Sequence, residues 1–361
     1  MVERMPRTAA VTRVPGAPGE TGAPARRAGR RLPPAIVLGA SVALLALVVL
    51  ASLAIGTRQV PLDVVLQAIT SPEPGDAGQV VVRDLRFPRA VIGVLAGAAF
   101  GVVAALLQGA TRNPLADPGL LGINAGASLA VVAAITFTGA ASPLGFVWFA
   151  FGGAALAAAV VFAIGSAGGR GATPARLALT GAAVTAATTP LVTLLLIRDE
   201  GTLSQYRFWS VGSLAGRGLE TAALLWPFLL AGLVLAAWLA SRLNLLALGD
   251  DVARGLGVRL GTTRLVTAAA VIVLAGTATS LAGPIALLGL AVAHAARGLV
   301  GGDYRWLTPL AAVLGAIVLL ASDVIGRVVV APAELEAGIV AAIVGAPVLI
   351  ALVRRSRGSA L

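Results

Sequence analysis

Three arginines at the ends of long apolar stretches carry the clearest potential for recognition chemistry in this 361-residue chain. Arg86 and Arg89 precede an apolar run that ends near Gln108, and Arg327 ends another run, four residues after Asp323. A guanidinium presents five N–H donors in a fork that fits a carboxylate, so these residues could bind an acidic partner. Residues four apart share one side of a helix, so Asp323 could instead neutralise Arg327. The arginines could also extend toward lipid headgroups.

Several catalytic chemistries are excluded by residue types that the sequence lacks. All 27 basic residues are arginines, so there is no lysine for a G-x-x-x-x-G-K-[ST] phosphate-binding loop or for a Schiff base. The chain has no cysteine and one histidine, His294, which leaves no cluster for a bare transition metal. We interpret His294 as a structural residue rather than a proton relay. We therefore expect no cofactor, no metal site and no ATP hydrolysis by this chain itself.

The segment 108–127 combines a tight turn with two helix starts. Asn or Asp as N-cap followed by Pro at the first helical position favours the beginning of a helix. Asn113-Pro114 and Asp117-Pro118 repeat this arrangement four residues apart, which predicts a sharp corner between two helices. The residues of this turn motif that we single out are Gln108, Asn113, Pro114, Asp117, Pro118, Gly122, Asn124 and Gly126.

The segment 243–258 is too polar in its centre to cross a bilayer and amphipathic enough to lie along a surface. Helices on a membrane surface usually carry basic residues on their polar face. This segment instead carries Asp250 and Asp251, which anionic headgroups repel. We therefore favour contact with another protein, and an interfacial helix on lipid is the alternative.

The elements that must position these residues are membrane spans. The chain is 58% hydrophobic and 12% charged, with a mean hydropathy of +0.94, far from the averages of soluble domains. Since a helical span needs about 20 apolar residues, we predict an all-α integral membrane protein with about ten transmembrane helices. Gly93, Gly97 and Gly101 form a four-spaced ridge on the second span that favours close helix packing. The predicted spans are 33–55, 85–109, 119–139, 145–166, 175–197, 221–241, 263–282, 284–300, 307–325 and 336–352.

The arginines also predict the orientation of the chain. Residues 1–32 have no apolar period and are predicted to be a disordered cytoplasmic tail, followed by a ten-span domain at 33–353 and a cytoplasmic tail at 354–361. With the N-terminus inside, 19 of the 27 arginines fall in inner segments and eight in outer ones. The positive-inside tendency therefore places both termini in the cytoplasm and the protein in the cytoplasmic membrane. The net charge of +11 indicates contact with anionic lipid headgroups rather than nucleic acid.

A second block of residues lies in the C-terminal third of the chain. It comprises Gly283-Pro284, His294 to Arg297, Gly302 to Arg305, Asp323, Arg327, Glu334 and Gly345-Ala346-Pro347. Together with the stretch from Arg86 to Ala127, this block resembles the permease subunits of ATP-driven importers for iron–siderophore complexes, haem and cobalamin. Two positions depart from that pattern: Ala293 stands where Pro is usual, and Glu336-Ala337 stand where Pro-Ile is common.

The resemblance implies the architecture of a type II ABC importer permease, with a translocation path at a dimer interface. In that family a substrate-binding protein docks outside, and its acidic residues meet arginines at the positions of Arg86, Arg89 and Arg327. ATP-binding-cassette ATPase subunits bind inside, and a second permease chain completes the path. The family's inner gate corresponds here to Thr173 and Pro174. The segment that couples to the ATPase is expected to use Leu246, Leu248, Gly249, Asp250, Arg254, Gly255 and Gly257.

The resemblance leaves the cargo and the dimer type open. The segment 116–127 looks most like permeases that pair with a different permease chain, which favours a heterodimer for a ferric siderophore, while cobalamin or haem with a homodimer is the alternative. An ion-coupled secondary transporter would bury an ionisable residue near mid-bilayer, but the acidic residues lie at span ends. A membrane-embedded enzyme would need converging Asp, His or Ser–His groups, which a single histidine does not support.

Overall fold

The computed structural model of the chain describes residues 32–73, 75–140, 142–167 and 174–358. These residues are mostly helical, and the described ranges contain no β-strand. The predicted tail at 1–32 lies outside the described residues apart from Leu32, and so do residues 359–361 of the predicted C-terminal tail.

The described α-helices follow one another with short connections. In chain order they are α1 (Pro34–Ala54), α2 (Leu62–Thr70), α3 (Ala77–Val80), α4 (Phe87–Thr111), α5 (Ile123–Thr138), α6 (Pro143–Ser166), α7 (Pro174–Arg198), α8 (Glu200–Ser210), α9 (Leu219–Leu246), α10 (Asp250–Gly255), α11 (Leu260–Ala282), α12 (Leu288–Val300), α13 (Tyr304–Val329) and α14 (Ala337–Gly358). A π-helical turn, Val81–Arg86, joins α3 to α4, and a 3-10 turn, Pro118–Leu121, precedes α5.

Each predicted span coincides with one of these helices. By length and composition, seven helices of the described chain can cross a membrane: α1, the continuous helix Ala77–Thr111 that contains α4, and α6, α7, α9, α11 and α13. The apolar helices α5, α12 and the first part of α14, Ala337–Pro347, are shorter. The prediction of an all-α membrane protein is thereby confirmed. Helix α14 continues to Gly358, beyond the predicted end of the last span at residue 352 and into the predicted tail at 354–361.

Burial separates the long helices into central and peripheral ones. The most apolar windows of Ala77–Thr111 and α11 are 78% and 72% buried, whereas those of α1 and α7 are 17% and 11% buried. In a bilayer, an apolar helix can face lipid instead of packing against its own chain, because lipid tails are as apolar as its side chains. We therefore assign α4, α11 and α13 to the centre of the chain and the outer faces of α1 and α7 to lipid or another chain.

The predicted glycine ridge holds α4 directly against α13. A Cβ on Gly97 would lie 2.5 Å from the backbone oxygen of Gly315, and a Cβ on Gly315 would lie 2.1 Å from that of Gly97. At Gly101 a Cβ would lie 2.0 Å from the oxygen of Ala311. These distances leave no room for a side chain, so the ridge is a surface of backbone contact, as small residues provide between membrane helices.

Candidate functional site

The charged residues singled out from the sequence gather at the two ends of the helix bundle. At the first, which we call the Arg86 end, α1 and α13 finish and α4 begins. At the second, the Arg112 end, α4 and α9 finish and α11 and α13 begin. Helix α4 runs from the Arg86 end to the Arg112 end.

At the Arg86 end, Arg86 is only 5% exposed. Its Nη1 donates hydrogen bonds to the backbone oxygens of Leu53 (2.7 Å) and Ala54 (2.8 Å), and its Nη2 donates to the backbone oxygen of Arg58. The last carbonyls of a helix lack partners within the helix, and Arg86 supplies donors to those of α1. Within the described chain Arg86 forms no ion pair, so it binds α1 to α4 without being neutralised.

Arg89 and Arg327 share one buried carboxylate, Asp323. Arg89 Nη2 lies 2.7 Å from Asp323 Oδ1, and Arg327 Nη2 lies 3.1 Å from Asp323 Oδ2. Arg89 Nη1 also pairs with Glu334 at 2.8 Å. Arg327, which is 2% exposed, donates to the backbone oxygen (3.0 Å) and to Oγ (2.8 Å) of Ser52. The ion pair between Arg327 and Asp323 that the spacing allowed is therefore present, and Arg89 shares its carboxylate.

One cavity of about 600 Å³ brings all three predicted arginines together. Two further arginines line it, and the carboxylates that line it are Asp84 and Glu334. Arg217, one of these two, donates hydrogen bonds to the backbone oxygens of Ser213 (3.2 Å) and Ser280 (2.8 Å). Burial lowers its pKa to about 10, and the charge of Glu336 opposes this shift. The arginines that line the cavity are Arg58, Arg86, Arg89, Arg217 and Arg327. Guanidinium groups thus outnumber carboxylates along its walls.

At the Arg112 end, a single carboxylate joins three elements. Arg112 follows α4 with a φ of 50°, donates from Nε to the backbone oxygen of Leu246 (2.8 Å) and pairs with Asp250. Arg264 in α11 pairs with the other oxygen of Asp250 at 2.7 Å. Burial raises the pKa of Asp250, but the hydrogen bond from Arg112 and the charges of Arg264 and Arg112 hold the pKa below its usual value. Asp250 therefore connects the start of α10 to α4 and α11 as a carboxylate.

The residues after α9 expose several apolar side chains. Leu248 before the short helix α10, Val252 within it and Leu256 directly after it are 61%, 50% and 57% exposed. Leu246, by contrast, is buried at 2% exposure and belongs to the core. The segment is therefore held to α4 and α11 through Asp250 and leaves apolar side chains uncovered.

Two glycines bracket α10 in backbone conformations that side chains disfavour. Gly249 has a φ of 112° and Gly257 a φ of 83°, both in the region that glycine adopts at little cost. Gly255 ends the helix in open space, with nothing within 4 Å of a Cβ built on it. Arg254 forms an exposed pair with Asp251 at 2.7 Å. The predicted coupling residues are thus contiguous, and all except Leu246 are accessible at least in part.

The predicted corner between spans two and three is present, but the helix start predicted at Asn113-Pro114 is wrong: these residues form a turn, and only Asp117-Pro118 begins a helical turn. Both side chains accept local hydrogen bonds. Asn113 Oδ1 accepts a hydrogen bond from the backbone N–H of Leu115 (2.9 Å), and Asp117 Oδ1 accepts one from that of Gly119 (2.8 Å) at the start of the 3-10 turn with Pro118. Asp117 is 8% exposed. Burial raises its pKa to about 6, and the hydrogen bond from Gly119 opposes this shift.

The later residues of the turn motif serve helix packing. Gly122 precedes α5 with a φ of 67°, and a Cβ there would lie 3.3 Å from the backbone oxygen of Gly181 in α7. A Cβ on Gly126 would lie 2.5 Å from the backbone oxygen of Gly153 in α6, so α5 and α6 touch through backbone. Asn124 is half-buried at the start of α5.

Comparison with known proteins shows to which family the chain belongs. Residues 44–355, most of the chain, match the sequence profile described as the FecCD transport family. The chain belongs to the FecCD transport family. This confirms the resemblance noted in the sequence: the chain is a permease subunit of an ABC importer.

Relatives and a solved structure agree with this assignment over nearly the whole chain. The ferric enterobactin transport system permease protein FepD of Escherichia coli strain K12 is 44% identical over 90% of the chain and 97% of FepD. The probable siderophore transport system permease protein YfiZ of Bacillus subtilis strain 168 is 42% identical over 89% of the chain and 96% of YfiZ. A metal-chelate type ABC transporter solved in an inward-facing conformation aligns with a TM-score of 0.77 at 27% identity, covering 89% of the chain and 99% of that chain.

Of the two predicted gate residues of the permease, Pro174 is the first residue of α7. Proline at the first helical position lacks only an N–H that would have no partner there. Thr173 lies outside the described residues. The gate is therefore still a prediction.

A second polar cavity of the permease was not predicted as a site. It has a volume of about 340 Å³ at the Arg112 end and is lined by Gln108, Arg112, Pro114, Arg297 and Tyr304, among others. Gln108 belongs to the turn motif, and Arg297 and Tyr304 belong to the second block that carries the family resemblance. Their separation along the chain hid the fact that they meet; only the polar residue types at span ends could have drawn attention to them.

Proposed function

We propose that this permease carries ferric siderophores through the cytoplasmic membrane, using ATP that a separate subunit hydrolyses. The observation that carries the proposal is its identity of more than 40%, over nearly their whole length, to permeases named for siderophore and ferric enterobactin transport. Among the described residues no group of three His, Cys, Asp or Glu side chains could hold a metal ion. Iron would therefore cross inside its chelator, and haem or cobalamin is the alternative cargo.

The coupling of ATP hydrolysis is assigned to α10 and its flanks. Leu248, Val252 and Leu256 offer exposed apolar side chains of the kind that a cleft on an ATPase subunit can bury. Asp250, held by Arg112 and Arg264, would transmit movement of that segment to α4 and α11. This assignment places the Arg112 end in the cytoplasm, which agrees with the distribution of arginines in the sequence.

The docking of a substrate-binding protein is assigned to the cavity at the Arg86 end. Its five arginines exceed its lining carboxylates, and a positive site of this kind attracts acidic side chains and accelerates association. Arg86 and Arg327 already hold backbone or carboxylate groups inside the chain, so an incoming carboxylate would first meet the exposed Arg58 at the mouth. Arg86, Arg89 and Arg327 would contribute mainly through their charge.

The cavity assignment is tested by paired charge reversals. Arg58→Glu should slow association of the loaded binding protein at low salt, and Arg83→Glu, an exposed arginine of the same end that does not line the cavity, should not. Equal effects of the two variants would indicate a general surface charge and would contradict docking at the cavity.

The translocation path is assigned to an interface with a second permease chain, a heterodimer being favoured. Helix α7 is the least buried of the long spans at 11%. It carries Thr185, Thr188, Thr189 and Thr193, each of which donates its hydroxyl to a backbone oxygen of its own helix. Such a helix suits a wall that meets a polar cargo, because its hydroxyl oxygens can still accept hydrogen bonds.

The proposed function is tested by uptake. The permease is expressed with its candidate ATPase, binding protein and second permease in cells that lack ferric siderophore uptake, and accumulation of radioactive iron supplied as a siderophore complex is measured. Uptake should disappear when the catalytic glutamate of the ATPase is replaced by glutamine. Accumulation that persists with the inactive ATPase but stops when the proton gradient is removed would instead indicate a secondary transporter, and uptake of haem or cobalamin alone would change the cargo.

A further inference from the structure

The second cavity at the Arg112 end contains a buried amide without a partner. Gln108 is 2% exposed, and both Nε2 and Oε1 are buried without a hydrogen bond within the described chain. A buried polar group that stays unpaired loses the hydrogen bonds that it makes with water, so such groups in folded proteins normally meet protein, water or a ligand. Gln108 lines a cavity of about 340 Å³, which is larger than a single water requires. The cavity therefore has room for a partner of this amide.

The same cavity contains guanidinium groups with donors to spare. Arg297 Nη2 donates to the Tyr304 hydroxyl (2.8 Å), and the guanidinium carbon lies 5.4 Å from the centre of the Tyr304 ring. Within the described residues Arg297 forms no ion pair, whereas Arg112, the other arginine on the wall, is shared with Asp250. An arginine carries five N–H donors, so Arg297 keeps a positioned fork that points to an anionic oxygen ligand.

The backbone around the cavity is shaped to hold this fork in place. Tyr304 is 3% exposed, and its ring occupies the space where a Cβ on Gly109 would be, 2.8 Å from the phenol oxygen. Asn244 Oδ1 accepts the N–H of Tyr304 at 2.8 Å. The phenol that orients Arg297 therefore packs against α4, and α9 holds the backbone of Tyr304.

We propose that this cavity binds a phosphate group, with Arg297 and Arg112 pairing with its oxygens and the Gln108 amide donating a hydrogen bond. Arginine forks match the oxygens of phosphate, and basic pockets between transmembrane helices on the cytoplasmic side bind anionic lipid headgroups. The cavity lies at a span end, so the phosphate source that the location favours is an anionic phospholipid. Because Arg112 also pairs with Asp250, one and the same arginine would contact both the bound lipid and the segment assigned to the ATPase.

The site is tested by measuring thermal unfolding of the purified full-length chain in detergent. Dioleoyl phosphatidylglycerol, dioleoyl phosphatidylcholine and inorganic phosphate are titrated separately. Phosphatidylglycerol should raise the unfolding temperature saturably. In Arg297→Gln, the concentration for half of this effect should rise at least about tenfold, as expected for the loss of a charged hydrogen bond. Arg305→Gln is the matched control, because it removes the same charge from an exposed position of α13 that does not line the cavity.

Gln108→Leu keeps the proposal falsifiable if Arg297→Gln folds poorly. Replacing an unpartnered buried amide with an apolar side chain should leave the lipid-free stability unchanged or higher, yet phosphatidylglycerol should bind at least about threefold more weakly. A saturable effect of inorganic phosphate that depends on Arg297 would support the phosphate site with a free anion as its source. Equal losses in Arg297→Gln and Arg305→Gln, an equal response to phosphatidylcholine, or no response to any probe would overturn it and leave a cavity that holds water only.

Discussion

The buried carboxylate at the Arg86 end allows a sharp prediction, because two carboxylates meet Arg89 in very different surroundings. The side chain of Asp323 is 0% exposed and that of Glu334 is 33% exposed. Their shortest distances to Arg89 are nearly equal, 2.7 Å and 2.8 Å. We expect Asp323→Asn, which keeps shape and removes charge, to destabilise the permease far more than Glu334→Gln.

The magnitude follows from what each substitution leaves behind. Asp323→Asn removes the carboxylate that pairs with Arg327 and leaves Arg89 with Glu334 alone. Breaking a buried pair in this way costs about 3–5 kcal/mol because a buried charge, here Arg327, is left uncompensated. Glu334→Gln weakens a partly exposed pair, for which losses stay below about 1 kcal/mol. Removing the second charge as well, in Asp323→Asn/Arg327→Gln, should recover part of the loss, because fewer uncompensated charges remain.

The assay is reversible unfolding of the purified chain in mixed micelles, with helix content as the signal. The five proteins are the wild type, Asp323→Asn, Glu334→Gln, Arg327→Gln and the double variant Asp323→Asn/Arg327→Gln. The free energies of unfolding of all except Glu334→Gln form one double-mutant cycle. Losses of similar size in Asp323→Asn and Glu334→Gln would refute the reasoning, as would a double variant whose loss equals the sum of its single substitutions. Either result would mean that burial does not govern the strength of this network.

Three further predictions concern other parts of the chain. Burial raises the pKa of Asp117 to about 6 from its usual 3.8. The free energy of unfolding should therefore fall by about 3 kcal/mol as the pH rises from 4 to above 6, because the folded state disfavours the ionised carboxylate. In Asp117→Asn, which can still cap the turn, a pH series should show no such fall in the free energy of unfolding. Gly101→Leu should cost about 1–3 kcal/mol or more, because a Cβ there would meet the backbone oxygen of Ala311. Gly39→Leu, with nothing within 4 Å, should cost nothing in the same unfolding assay, and equal costs would contradict backbone contact. Leu256→Asp should reduce co-purification of the ATPase subunit, and Leu62→Asp, similarly exposed at the opposite end, should leave it unchanged; if both variants retain the ATPase, α10 is not its docking element.

The membrane spans were predictable because lipid imposes a length and a composition on any helix that crosses it. The predicted spans 85–109 and 263–282 lie within three residues of the bounds of α4 and α11. Helix α8 was not predicted, since its polar sequence gives no hydropathy signal. It begins where Asp199 accepts the N–H of Thr202 at 2.7 Å, which is a local signal that an N-cap search would find.

The site was predictable in its residue types and much less in its contacts. Arg89 meets Glu334 across 245 residues of sequence, and Arg112 meets Asp250 across 138. Pairings at such separation depend on which helices are neighbours, and hydropathy does not encode that order. The turn at Asn113 was easier, because its side chain bonds the backbone two residues later, a contact that the local sequence determines.

The reciprocal glycine contact between α4 and α13 also restricts how the permease can move. Each of Gly97 and Gly315 faces the other's carbonyl without an intervening side chain, so a sliding motion along either axis would drive the next side chain of one helix into the backbone of the other. Shear of packed helices depends on side chains that can change rotamer, and this seam has none at its closest points. We expect α4 and α13 to travel as one lever, so that alternating access is divided between this pair and the less buried α7.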